Sequence, residues 1–288
     1  MKLDNYLESA RKYKEDYYKK CILMAEDSRY QYLNSNLSKK ADEVLQIDKS
    51  LIETLADDKD INTYFSIYYY LLWNGYFSVD NDFIWQSKKK EIDSNLGLNI
   101  TAGNGCCRNI SVHFTNILNA LTDNDFTLIG VRYKNNIKSI KPPKEIKQKV
   151  TKEEKIDKPK NIYNANHLSV FYTKNKTIYD PQNFLIQKMN YDNIGKEYFI
   201  GTFDLGLDCI YNPYINLEER LNSLSKKLET SKLFAYVEKK LIEQKELRSL
   251  MKKGIKLCQE NQETIIKHQQ EVKPLYQYIK KEISKRGV

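Results

Sequence analysis

The sequence predicts an α+β fold, on three observations. Both ends carry long stretches with apolar residues three and four apart, the middle carries short alternating segments, and a glycine- and asparagine-rich turn separates the first helices from that middle. With 288 residues, of which 41% are hydrophobic and 30% charged, the chain can bury a sizeable core and reads as globular rather than disordered.

Residues 1–60 contain no proline and space their apolar residues as amphipathic helices do. The opening "MKLDNYLESARKYKEDYYKK" is charged and lacks the apolar centre of a signal peptide, so a cytoplasmic setting is expected. Residues 61–77 read as an aromatic-rich helix or helix pair. Their apolar run "YFSIYYYLLWNGYF" is shorter than the roughly 20 residues of a membrane span and suits a buried helix. "NLGLNITAGNG", with Gly97, Gly103 and Gly105, is turn chemistry. Arg108 to Leu121 then places Ile110, Phe114, Ile117, Leu118 and Leu121 on one helical stripe.

"FTLIGVRYK", residues 126–134, reads as a strand. The stretch 134–160 holds ten lysines, four acids and few large apolar residues, which predicts a solvated loop. Its middle, about 138–158, should be dispensable for folding, because loop-closure entropy changes slowly with length. "NHLSVFYT" and "KTIYDPQNF" alternate as two strands of a hairpin joined at Lys174, Asn175 and Lys176. From Asn216 the pattern turns helical. Asn216 and Glu219 have capping-box spacing, and Leu217, Leu221, Leu224 and Leu228 form a stripe. Helical character runs to the end, punctuated by Gly254 and Pro274. Three regions follow: an N-terminal helical region at 1–60, a core at 61–215 with the lysine-rich loop, and a basic helical region at 216–288. The leucine stripe is most simply packing within the chain, with the C-terminal helices also open to a protein partner.

The formal net charge of +9 is uneven: 134–160 carries +6, 216–288 carries +7, and the rest −4. Because the excess is confined to a loop and a tail, nucleic-acid binding is not expected. Cys21, Cys106, Cys107, Cys209 and Cys258 are an odd, scattered set without a CxxC pair, which argues against a disulfide framework or a structural zinc site. His113, His167 and His268 are far apart in sequence, so no metal or other cofactor is expected.

Two of the five cysteines stand side by side at the mouth of the Arg108–Leu121 helix. A helix N-terminus favours the thiolate through its aligned dipoles and offers N–H groups to an oxyanion. One cysteine of the pair can face a cleft while the other turns aside. His167 opens the first hairpin strand and Asp180 lies on the second. Neighbouring antiparallel strands are about 4.8 Å apart, which brings the two within reach of each other. Cys107, His167 and Asp180 thus make a nucleophile, a base and an orienting group.

These residues resemble the transglutaminase-like branch of the papain-like thiol enzymes. The motifs are G-x-C before an amphipathic helix ("GCCRNISVHFTNILNAL"), a strand opening with His ("NHLSVFYT"), and aromatic-Asp-Pro on the next strand ("TIYDPQN"). The helix register matches with Cys107 as nucleophile, a small Ser111 four positions on and Phe114 at seven; His167 and Asp180 match the family's histidine and aspartate. The resemblance spans residues 102–184. Cys106, where the family usually has another residue, and the lysine-rich insertion depart from it.

The resemblance implies a papain/transglutaminase-like core, a cysteine-bearing helix packed on an antiparallel sheet, with helical additions at both ends. It also implies acyl transfer on an amide or peptide bond of a protein or peptide substrate. Hydrolysis by a cysteine peptidase or amidase is favoured, because no amine-acceptor site is visible and water is always at hand. A transglutaminase or deamidase acting on protein glutamine is the alternative, and a catalytically silent scaffold of the same fold is another. Trp73, Trp85 and Gln86, then Asn104 and Asn166, are the candidates for a second oxyanion donor. Cys106, Cys21, Cys209 and Cys258 read as packing residues, and His113 as structural.

Overall fold

The computed structural model describes residues 35–79, 81, 83–85, 100, 103–122, 125–131, 142–147, 149–150, 167–172, 174–190, 198–203, 233–241 and 243–285. Within them the architecture is α+β. The helices are α1 (Ser35–Leu55), α2 (Ile61–Trp73), α3 (Cys107–Leu121), α4 (Gln244–Glu260) and α5 (Gln262–Ser284). The strands are β1 (Ile84–Trp85), β2 (Asn104–Gly105), β3 (Phe126–Val131), β4 (Lys149–Val150), β5 (His167–Tyr172), β6 (Thr177–Asp180), β7 (Leu185–Asn190), β8 (Tyr198–Phe203) and β9 (Leu233–Leu241). No helix among the described residues is long and apolar enough to cross a membrane.

Helix α2 is the centre of the packing. Asp60 caps it by accepting the Asn62 amide at 2.9 Å, and every residue from Thr63 to Trp73 is buried, as expected of a helix that is apolar all round. Phe65 stacks on Phe184 at 4.8 Å and meets the edge of Tyr179 at 5.4 Å, so α2 grips the β6–β7 turn. On the other side α4 crosses α2 at close range. A Cβ on Gly254 would come within 2.7 Å of the Ser66 carbonyl carbon. Gly254 is therefore a contact point inside α4, where the sequence suggested punctuation, and Pro274 likewise lies inside α5.

Strands β3, β5, β6, β7, β9 and β8 close in that order into a barrel, each neighbour antiparallel. Helix α3 packs across β3 and β5. The β5–β6 hairpin forms where the alternation predicts it, and Lys176 takes the left-handed conformation (φ 57°) in its turn. A second, small parallel sheet has β1 at its centre, paired with β2 on one edge and β4 on the other.

Two expectations are corrected. Residues 233–241 form β9, bridging β7 and β8, where a helical tail was expected; the leucine stripe at 217–228 lies outside the described residues. The lysine-rich stretch is not a free excursion throughout. Ile146 is in the main core at 6% exposure, the Lys147 amide donates to Asn74 Oδ1 at 3.3 Å, and β4 pairs with β1. Removing 138–158 would take out a core side chain and a strand, so the deletion is expected to cost stability. One core draws on all three sequence regions, from Leu45 and Ile52 through Phe65, Phe114 and Val170 to Leu247 and Ile265.

Candidate functional site

The cysteine pair divides at the start of α3. Cys106 is the N-cap residue and is buried; its amide donates to Asn109 Oδ1 at 2.8 Å, and its Sγ–H points to the same oxygen at 3.2 Å. Asn109 is the third helical residue, so its side chain reaches back over the first turn as in a capping box. Gly105 is forced by this arrangement, because a Cβ there would come within 2.9 Å of Asn109 Cβ. Cys107, the first helical residue, is only half-buried. It lies at the positive end of the helix dipole. The first helical hydrogen bond, Ile110 N to Cys106 O at 3.1 Å, begins beyond it. Thus Cys106 is turned into the structure and Cys107 is the accessible thiol of the pair.

His167 and Asp180 come together on the hairpin. The register pairs Val170 with Tyr179, which sets Asp180 diagonally across from His167 on the same face. His167 Nε2 lies 3.0 Å from Asp180 Oδ2. Asp180 is fully buried, and burial alone would raise its pKa. The opposing effects of the His167 charge, the His167 contact and hydrogen bonds from Asn183 outweigh it and hold the carboxyl below its ordinary range.

Helix and hairpin are joined at the site. Ser111, one turn beyond Cys107, donates through Oγ to the Leu168 carbonyl at 2.9 Å. The first turn of α3 is thereby fixed to the strand residue that follows His167. The His167–Asp180 pair thus lies on a hairpin whose first strand is bonded to α3 one turn after Cys107.

Of the oxyanion candidates, Trp85 is brought beside the site: β1 pairs Trp85 with Gly105, the residue before the cysteine pair. Trp73 is a core residue packed edge-on against Phe83. Asn104 is on β2, and Gln86 and Asn166 lie outside the described residues. Sequence reasoning missed Asn109 and Asn183. Both stand at a spacing of three from the residue they serve, which is the signal that a capping box and an Asp-Pro turn leave.

The wide spacing of the histidines misled in one respect. His113 and His268 converge on a single carboxylate, Asp48, in the helical core. Among the described residues no group of His, Cys, Asp and Glu is arranged to hold a metal ion. Comparison with family models, curated proteins and solved structures returns no match.

Proposed function

We propose that the chain is a thiol-dependent acyl-transfer enzyme, most simply a cysteine peptidase or amidase, on a papain-like, transglutaminase-like core made by α3, β3 and β5. One observation carries the reading. A fully buried carboxylate, Asp180, lies 3.0 Å from the imidazole of His167, on a hairpin tied to the helix that Cys107 begins.

In this reading Cys107 passes its proton to His167, and the thiolate attacks the carbonyl carbon of an amide, forming a C–S bond. Collapse of the tetrahedral intermediate breaks the C–N bond, and the amine leaves with the proton from the imidazolium. Water then gives a proton to His167 and attacks the thioester. The C–S bond breaks, the acid departs and the thiol is restored. Asp180 holds the imidazole in place and stabilises its charged form. The first-turn amides of α3 are the oxyanion donors of this reading, and Trp85, paired with Gly105 beside them, is the candidate for a second.

Iodoacetamide labelling near neutral pH, followed by peptide mapping, tests the reading. Cys107 is expected to label selectively and ahead of the other four cysteines. The rate should collapse in His167→Ala and persist in Cys106→Ala. Slow labelling of all five at similar rates would sink it.

A further inference from the structure

Asp180 is held by more than the imidazole. Its Oδ2, which faces His167, also accepts the side-chain amide of Asn183 at 2.9 Å. Its Oδ1 accepts the backbone amides of Gln182 and Asn183, each at 3.1 Å. The turn that presents these donors is rigid. Pro181 fixes its own φ, and Phe184 ends the turn in the left-handed region (φ 51°), pinned by rings of Phe65 and Tyr69 whose centroids are each 4.8 Å away. From α2, Tyr69 also feels the carboxylate; burial first, then the Asp180 charge, push its phenol up and keep it neutral. The two backbone amides tether one oxygen only. The Asn183 side-chain amide adds a hydrogen bond on the other oxygen, the one that faces His167.

We propose that Asn183 is a positioning residue of the site: its side-chain amide, bonded to the carboxylate oxygen of Asp180 that faces His167, favours the ionised form presented to the imidazole. The catalytic consequence rests on the Cys107–His167–Asp180 reading above; the effect on Asp180 does not. A charge-assisted hydrogen bond favours the charged form of its acceptor. Loss of the donor must therefore let protons bind Asp180 more readily, and a carboxylate in its place must do so more strongly.

The test is a ¹³C NMR titration of the Asp180 carboxyl in the full-length protein, its signal identified by its absence from Asp180→Asn. The midpoint is expected to rise by about one pH unit in Asn183→Ala and further in Asn183→Asp. An unchanged midpoint in both variants overturns the proposal. In the same variants the rate of Cys107 alkylation should fall about tenfold at the acid end and recover as pH rises past the new midpoint. A loss equal at every pH, accompanied by a lower melting temperature, would mean that only the turn is damaged, and would also overturn it. Should both variants fail to fold, Asn183→Ser keeps a donor at shorter reach, and its midpoint must lie above that of the wild type. If the midpoint moves while Cys107→Ala proves as active as the wild type, the thiol reading falls and Asn183 still anchors the His167–Asp180 pair.

Discussion

Among the described residues two buried carboxylates, Asp48 and Asp180, face histidine, and they are built differently. Asp180 draws its partners from its own turn, residues two and three positions on, plus one imidazole from the adjacent strand. Asp48, on α1, draws its partners from other helices: His113 Nε2 of α3 at 3.2 Å, and His268 Nε2 and the Tyr276 hydroxyl of α5, each at 2.8 Å. The second nitrogen of His113 is taken up by the Tyr68 hydroxyl of α2 at 3.0 Å, so the cluster ties four helices together. Both carboxyls are held below their ordinary range against the effect of burial, Asp48 by its two histidines and Asp180 by His167 and Asn183. Ionisation therefore does not separate a site from a strut. What separates them is what lies beside the imidazole. His113 and His268 are sealed in helix packing, whereas His167 starts a strand held against the helix that a half-buried thiol begins.

Substitutions at the two carboxylates should fall on different readouts. The largest effect belongs to the site. On the proposed thiol reading, Cys107→Ala or His167→Ala should lower turnover of an amide substrate by about 10³-fold or more with little change in melting temperature, and Asp180→Asn by roughly 10- to 10⁴-fold, on the scale of known catalytic triads. Single-turnover acylation measures both; equal rates for wild type and Asp180→Asn across the pH range would leave only a Cys–His dyad. Next comes Asp48→Ala, which strands two histidines and a tyrosine in the core. About 3–5 kcal/mol of stability should be lost in denaturant titration, with reactivity per folded molecule kept. A variant that melts normally but loses reactivity would reverse the assignment of the two sites. His268→Gln retains a donor that can reach Asp48 and should cost less, about 1–2 kcal/mol by the same titration.

The smallest effect appears on acidification. Each carboxyl has a folded pKa below its unfolded value, so its ionisation stabilises the fold in full above about pH 4 and progressively less as pH falls through the folded pKa. Asp48→Asn should flatten the acid limb of the stability curve, and equal limbs in wild type and variant would show that Asp48 does not drive it.

Local pattern made part of this legible. The α3 stripe and the alternation of β5 and β6 repeat within a few residues, and the Cys107–His167–Asp180 set lay on those elements. Non-local pairing did not show. "LFAYVEKKL" of β9 owes its extended form to β7 and β8, and the two residues of β4 to β1, none of which a reading along the chain can see. The Asp48 cluster was hidden for the same reason: its partners are 65, 220 and 228 residues away. Asn183 stands three residues after Asp180 in "DPQN", a turn spacing that the reading along the chain passed over, and its bond to Asp180 emerged only from the geometry.

Cys258 gives the molecule an internal stopwatch. Its thiol is wholly buried on α4, the helix whose Gly254 meets Ser66 of α2, and burial pushes its pKa up. An alkylating reagent reaches it only when that part of the interior opens. At increasing denaturant its modification rate should therefore count openings of the α2–α4 contact, while the half-buried Cys107 in the same sample serves as the reference thiol. On the proposed reading one chain carries a fast and a slow thiol, and the ratio of their labelling rates should follow how tightly the interior is closed.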